Sequence, residues 1–287
     1  MTKEKLLKAR TLIVAAIATV ILSVVRTFTV LYGIEHKTGM FNPEGDIYNV
    51  VFYVLLLLTL AVLAVLAVFD TKDCKKGCKT RLTTANMTVM GVAMVVAGVI
   101  EMLSVLSILS GEINLLSLLI AVGGIGLVIG GVVLASAKEE NYLHSLPVAF
   151  IAVSYIAQAV KFYVETALIS KSPQMLMTEI FFVTAGFFWV YFGRSLAQDT
   201  RRGTRILTVT SGYFVSASAV AFVISSYLPM AIDSEKWLQL RSIPSLTLVP
   251  AMLAPAVIAT VLLFAKTEEI PENAAEEKEA DEQADNQ

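Results

Sequence analysis

The stretch TRLTTANMTVMGVAMVVAGVI at residues 80–100 returns, in related form, as TRILTVTSGYFVSASAVAFVI at residues 204–224. At this offset the identical pairs are Thr80/Thr204, Arg81/Arg205, Thr84/Thr208, Ala93/Ala217, Val96/Val220, Ala97/Ala221, Val99/Val223 and Ile100/Ile224. Apolar segments can match by chance, so the flanking residues matter. Asp-Thr precedes both stretches, at 70–71 and 199–200, and Ala-Lys follows both, at 137–138 and 265–266. These matches predict two tandem copies of one membrane unit.

The composition around this repeat is that of an integral membrane protein. Of the 287 residues, 56% are hydrophobic and 16% are charged, and the mean hydropathy is +0.72. Such a chain lies outside the usual range of soluble proteins. The apolar runs are unbroken, whereas the strands of a membrane barrel would alternate in polarity. The predicted fold class is therefore an all-α integral membrane protein.

Eight apolar stretches are each long enough to cross a bilayer, which takes about 20 residues. They cover residues 11–34, 47–69, 82–109, 113–137, 145–170, 175–196, 206–228 and 243–265. The repeat divides them into two four-helix units, 11–137 and 145–265, joined by a cytoplasmic linker at 138–144. Because each unit has an even number of spans, we expect a parallel repeat related by a pseudo-twofold axis along the membrane normal.

The positions of Lys and Arg predict the orientation of the chain. Sixteen of the 22 basic residues fall on one side, before the first span, in or next to every second connection and after the last span. Four fall on the other side, and Arg26 and Lys161 lie within spans. Basic flanks are retained in the cytoplasm during insertion. We therefore expect a multi-pass protein of the cell (plasma) membrane with a short cytoplasmic N-terminal segment, 1–10, and both termini in the cytoplasm.

The acidic segment 266–287 follows the last span. It carries nine acidic residues and no aromatic residue, so it cannot bury a core, and it is predicted to be a disordered cytoplasmic tail. A solvated tail explains this composition more simply than a docking motif does.

Helix-breaking residues occupy the fourth and eighth spans, which are equivalent in the two copies. Gly123 and Gly124 are candidate break points in the fourth span, and Pro250 and Pro255 are candidates in the eighth. Interrupted helices at matched positions are typical of transport paths. Close packing of small residues, as in the Gly126/Gly130 pair, would explain the glycines equally well, so both interpretations stay open.

Charged side chains within the spans are the candidate ligand-binding or proton-binding residues. They are Arg26, Glu101, Lys161, Glu165 and Glu179. Each is predicted to lie in the outer third of its helix, so together they would form one layer. Ser154, Gln158, Lys161 and Glu165 follow at spacings of four, three and four, which places them on one helix face. Gln158 therefore joins the candidate site.

This charged layer has two interpretations. It can form a polar vestibule, open to the outside, for a cationic or zwitterionic solute or for a proton, because an unpaired charge in hydrocarbon is expensive. Alternatively, Arg26 and Glu165 can reach the membrane surface and the others can form structural ion pairs. Glu101 and Lys161 lie about two turns from the surface, which makes them the sharper candidates.

Motifs for enzymes, metals or cofactors are not found in the sequence. It contains no HExxH, GxSxG or phosphate-binding loop, and Cys74 and Cys78 offer too few ligands for a zinc site. We therefore expect no metal, no cofactor and no catalytic residue, and we make no enzyme assignment. The expected partners are the lipid bilayer, a small cationic or zwitterionic solute, and a membrane or cytoplasmic protein, with no nucleic acid.

Two functions follow from these observations. The first is a small-solute permease with an outward-facing polar vestibule, favoured by the charged layer and the matched helix breakers. The second is a non-transporting membrane subunit that holds or senses a protein partner through basic cytoplasmic loops and the acidic tail.

Overall fold

The computed structural model describes residues 3–35, 40, 42, 45–71, 78–108, 115–139, 141–166, 173–197, 201–232 and 248–269. These residues are almost entirely helical. In chain order the helices are α1 (Lys3–Gly33), α2 (Asp46–Asp70), α3 (Thr84–Ile108), α4 (Leu115–Ser136), α5 (Ser145–Thr166), α6 (Pro173–Leu196), α7 (Arg202–Ile232) and α8 (Leu248–Phe264). Two short strands, β1 (Cys78–Arg81) and β2 (Lys266–Glu269), complete the described structure.

The helices confirm that the chain is a helical membrane protein. Seven of those in the described part of the chain, α1 to α7, are long and apolar enough to cross a membrane. The apolar part described for α8, Met252–Phe264, is shorter than these. Helix α7 extends beyond the predicted span of 206–228 and includes Pro229.

Six of the helices are arranged in a ring. From α3 to α8 each helix packs against the next one in the chain, and α8 packs against α3. Helices α1 and α2 pack on each other and on α7, so they lie outside this ring. Aromatic side chains of α6 fill much of the buried core, with Phe188, Trp189 and Phe192 almost inaccessible to solvent.

The predicted repeat is reflected in some contacts and not in others. The pairs α1/α2 and α5/α6 both pack together, as do α3/α4 and α7/α8. However, α7 packs against α1 and α2, whereas the described residues show no comparable packing of α3 against α5 and α6. The pseudo-twofold relation between the halves therefore stays a prediction.

Glycines allow α4 to approach two helices closely. A Cβ on Gly131 would lie 2.6 Å from the carbonyl oxygen of Gly91 in α3, and one on Gly124 would lie 3.0 Å from Met102 of the same helix. Gly126 faces Ile151 of α5, and Gly130 faces both Pro147 of α5 and Met94 of α3. These contacts are the close approach that small residues permit between membrane helices.

Helices α4 and α8 both run through their candidate break points. Helix α4 spans Leu115–Ser136 and so includes Gly123 and Gly124, and neighbouring helices pack against both glycines. Pro250 lies in the first turn of α8, where a missing backbone donor costs little. Pro255 lies inside α8, which nevertheless continues to Phe264.

One end of the bundle, which we call the basic end, holds the starts of the odd-numbered helices and the ends of the even-numbered ones. There β1 and β2 pair antiparallel, with Lys79 opposite Glu268 and Arg81 opposite Lys266. The acidic tail is therefore ordered over Lys266–Glu269, contrary to the prediction of disorder from residue 266. The rest of the tail lies outside the described residues.

Repeated motifs of the sequence also meet at the basic end. Nη2 of Arg205, the arginine of the second copy, donates to the carbonyl oxygen of Leu262 at 3.0 Å. Its Nη1 donates to Oγ1 of Thr80, the threonine of the first copy, at 3.3 Å. Arg202 donates to Oγ1 of Thr71 at 3.1 Å. The repeated motifs thus join α2, α7, α8 and β1, a structural role that the sequence did not indicate.

Candidate functional site

Glu101 is a carboxylic acid enclosed by three helices of the ring. It lies on α3, is 2% exposed, and its Oε2 accepts a hydrogen bond from the hydroxyl of Tyr155 on α5 at 3.4 Å. On the third side is Gly123 of α4, where an added Cβ would lie 3.3 Å from Oε1 of Glu101. Gly123 therefore leaves the space that the carboxylate occupies.

The polar face predicted for α5 is directed towards this carboxylate. Ser154 and Gln158 are both buried. Ser154 donates to the carbonyl oxygen of Leu119 in α4, and Nε2 of Gln158 donates to Oγ of Ser154 at 3.1 Å. A Cβ on Gly123 would lie 2.8 Å from Oγ of Ser154, so Ser154 and Glu101 line the same small space.

Lys161 and Glu179 lie nearer the end of the bundle opposite the basic end. Lys161 follows Gln158 by one turn of α5, and Glu179 is near the start of α6; both are partly exposed. The side chain of Glu165 lies outside the described residues. The described contacts of Glu101 are with α4 and α5 residues, and its coupling to Lys161 stays a prediction.

Arg26 is buried in another part of the molecule. Its side chain is 0% exposed, and its guanidinium carbon lies 5.0 Å from the centre of the Phe52 ring on α2. An arginine over an aromatic face is stabilised by the ring quadrupole. Because α1 and α2 pack outside the ring of α3 to α8, the described contacts place Arg26 in a different environment from Glu101.

The burial of side chains on helix α6 changes along its length. In the half of α6 nearer the basic end the burial follows the helical period: Ala185, Gly186, Phe188 and Trp189 are buried, and the residue between the two pairs is exposed. In its outer half all five residues of 178–182 keep partial exposure, whichever way they point. These five residues are therefore less closely packed than the core of α6, although Met177 just before them is buried.

Aromatic rings lie between this accessible region and Glu101. The ring of Tyr155 meets that of Phe181 edge-on, with centres 6.2 Å apart, and Phe182 lies 5.7 Å from Phe181. Phe181 also packs against a buried cluster that includes Ala219 of α7 and Met252 of α8. It therefore points towards the interior of the ring.

Sequence reasoning identified Glu101, Ser154 and Gln158 but missed two residues of the site. Tyr155 was not selected, although an aromatic residue with a polar tip beside a polar helix face is a recognisable signal. Gly123 was selected as a helix break, whereas it makes room for the acid. Among the described residues, no group of three His, Cys, Asp or Glu side chains could hold a metal ion.

Comparison with known proteins finds no matching family model, no similar curated protein and no similar solved structure. The function therefore has to be argued from the site itself.

Proposed function

We propose that this protein is a small-solute permease whose binding site is the interior of the α3–α8 ring around Glu101. The observation that carries the proposal is the burial of Glu101 between Gly123 of α4 and the polar side chains Ser154 and Tyr155 of α5. A carboxyl group is costly to keep within a membrane bundle, and such residues mark substrate or ion pathways. A purely structural bundle would be more stable with an apolar side chain at this position.

The residues of the site take different roles in this proposal. Glu101 carries the charge that recognises the solute or a proton. Tyr155 donates to Glu101 and orients it, while Gln158 donates to Ser154 and orients that hydroxyl. Lys161 and Glu179 line the entrance, because they belong to the ends of α5 and α6 opposite the basic end. Glu165 stays a candidate from the sequence. Arg26 is assigned to packing against α2, given its position over Phe52.

We also propose that the chain crosses the plasma membrane eight times, with the basic end in the cytoplasm. The pairing of β2 with β1 supports a return of α8 to the basic end, and the excess of Lys and Arg there supports the orientation. In whole cells, a thiol reagent that cannot cross membranes should label cysteines introduced at Lys37 or Asp233. Labelling of the native Cys74 or Cys78 without permeabilisation would contradict this orientation.

The tandem repeat is proposed to be a duplication of four helices that pack in pairs. The similar packing of α3 on α4 and of α7 on α8 supports it. The position of α1 and α2 outside the ring means that the proposed site depends on six of the eight helices and not on a symmetric interface.

The test of the permease is a charge-removal series in protein reconstituted into vesicles. Glu101→Gln and Lys161→Met are compared singly and together, with Glu139→Gln, an exposed acid after α4, as the control. If Glu101 and Lys161 are coupled, each single change leaves the other charge without its partner and lowers the folded yield more than the double change does. The double variant should then be folded and unable to transport, and the control should behave as the unmodified protein.

Recovery of full transport activity in the double variant would contradict a binding role for Glu101 and Lys161. The two residues would then form an ion pair with a structural role only. The absence of transport by the unmodified protein for cationic, anionic, zwitterionic and neutral solutes would favour the non-transporting subunit. In that case the exposed basic residues at the cytoplasmic end would be the surface for a partner.

A further inference from the structure

A groove between α4 and α5 opens on the outer surface of the bundle. Its volume is about 290 Å³, and the residues that line it include Val122 and Ile129 of α4 and Leu146 and Phe150 of α5. All of the lining residues are apolar, and these four are between 41% and 63% exposed. In a membrane such a groove faces lipid, and hydrocarbon fills it because an empty groove loses dispersion contacts.

The groove extends from the basic end to about the middle of the bundle. Leu146 is the second residue of α5, which starts at the basic end. Val122 precedes Ser136, the last residue of α4, by about four turns, or roughly 21 Å of helix. One leaflet contributes about 15 Å of hydrocarbon to a bilayer. A transmembrane helix on this face would extend through both leaflets, so the groove is better matched to a chain that occupies one leaflet.

The connection between α4 and α5 lies at the basic end of the groove, because these two helices form its walls. In this connection Tyr142 is 66% exposed, and Lys138 is also exposed. Exposed tyrosines are typical of the membrane–water interface, where lipid headgroups lie. A lipid with its acyl chain in the groove therefore has its headgroup next to this connection.

The charge of this connection differs from that of the other segments at the basic end. Residues 138–144 include one lysine and two glutamates, whereas residues 72–81 include five basic residues and one acidic residue. Strongly basic segments attract anionic headgroups. The connection at the groove has a small excess of negative charge, which disfavours an anionic headgroup and favours one that carries an ammonium as well as a phosphate.

We propose that the groove between α4 and α5 holds one acyl chain of a zwitterionic phospholipid from the leaflet at the basic end. Lys138 is the partner for the phosphate, and the acidic residues of the connection attract the ammonium. The groove faces outwards, whereas Glu101 is buried within the ring, so this inference is independent of the proposed permease function.

The experiment counts the phospholipids that stay bound to the full-length protein, by native mass spectrometry. The protein is reconstituted into vesicles of equal parts phosphatidylethanolamine and phosphatidylglycerol and is then released in a mild detergent. We expect one bound phospholipid per chain, with phosphatidylethanolamine enriched roughly fivefold over phosphatidylglycerol, as expected for one unfavourable charge near the headgroup.

Two double variants test where the lipid binds. Ile125→Trp with Ile129→Trp fills the groove and should remove the bound lipid. Val92→Trp with Val96→Trp on α3 is the matched control and should keep it; the four replaced side chains are between 46% and 52% exposed. Thermal unfolding in detergent establishes that each variant is folded.

Glu140→Lys tests the headgroup without changing the groove. It reverses one charge of the connection, so it should remove the preference for phosphatidylethanolamine while one phospholipid stays bound. This variant also provides a readout if the groove-filling variant does not fold.

The possible failures are distinct. Loss of the lipid from both double variants, or from neither, would overturn the groove as the site. Enrichment of phosphatidylglycerol on the unmodified protein would overturn the zwitterionic headgroup. A folded monomer that retains no phospholipid would overturn the proposal. A dimer without bound lipid that dissociates in the groove-filling variant would also overturn it, because a second copy of the chain would then cover the groove.

Discussion

Helices α3 and α7 begin with the same motif and have different surroundings. Helix α3 packs against α4 and α8, whereas α7 packs against α1, α2, α6 and α8. The difference is clearest on one face. From Val89 to Leu103 the exposed side chains of α3 follow the helical period and are apolar; they are Val89, Val92, Val96, Val99 and Leu103. Such a stripe is suited to contact with lipid.

The residues of α7 that correspond to this apolar stripe of α3 in the repeat face other helices of the protein. Tyr213 and Ser216, which replace Val89 and Val92, are buried, and both bond to α8. The Tyr213 hydroxyl lies 3.0 Å from Oγ1 of Thr260, and Ser216 donates to the carbonyl oxygen of Met252 at 3.1 Å. Hydroxyl groups are favourable between helices, where they find partners, and unfavourable against lipid, where they do not.

The small residues shared by the two helices have a more uniform role. Ala97 and Ala221 are both completely buried; Ala217 is nearly so, whereas its counterpart Ala93 is partly exposed. Small side chains let neighbouring helices approach, whatever lies on the opposite face. The residues shared by the two copies pack in both helix pairs, α3 with α4 and α7 with α8. The residues that differ distinguish α7, which contacts four helices, from α3, which contacts two.

The largest expected difference in the free energy of unfolding is between substitutions of the two repeated arginines, Arg205 and Arg81. Arg205 is 6% exposed and bonded to Leu262 and Thr80, whereas Arg81 is exposed. Arg205→Gln should lower the free energy of unfolding by about 3 kcal/mol, because charged hydrogen bonds are lost and a buried carbonyl group is left unsatisfied. Arg81→Gln, the matched control, should cost less than about 1 kcal/mol. Denaturant unfolding in micelles measures both, and equal losses would contradict the asymmetry.

A smaller effect is expected where α3 crosses α4. A Cβ on Gly91 would lie 2.5 Å from backbone atoms of Ala135 and Gly131, which cannot move independently of their helix. Gly91→Ala should therefore cost about 2 kcal/mol through overpacking. Gly203, near the start of α7, has open space around it, so Gly203→Ala should be neutral or slightly stabilising. The same unfolding measurement tests this pair, and a neutral Gly91→Ala would show that α3 and α4 are not closely packed.

The smallest expected effect compares two identical residues. Val99 on α3 is 46% exposed, and its counterpart on α7, Val223, is 7% exposed. Removing two methyl groups from Val223 loses packing contacts, which should cost about 1 kcal/mol because lipid replaces water as the surrounding phase. Val99→Ala should change the free energy of unfolding by less than about 0.5 kcal/mol. Equal effects would mean that the exposed face of α3 is covered by another protein.

The position of the candidate site was partly predictable. The spacing of Ser154, Gln158 and Lys161 predicted a polar face on α5, and the structure buries Ser154 and Gln158 against α4. Glu101 was recognisable because it is a lone acid in an apolar run. Its contact with Tyr155 depends on which helices are neighbours, and the spacing of residues within one helix carries no information on that point.

By itself, the sequence determined that the chain is helical, where most helices begin and end, and which end is basic. The physical reason is local: backbone groups in a membrane must be satisfied within each apolar segment, so long apolar runs form helices. Only the tertiary structure decided that α3 to α8 form a ring, that α1 and α2 lie outside it, and that α7 is central. Valine or leucine contacts lipid and protein about equally well, so an apolar helix face does not indicate which of the two will cover it.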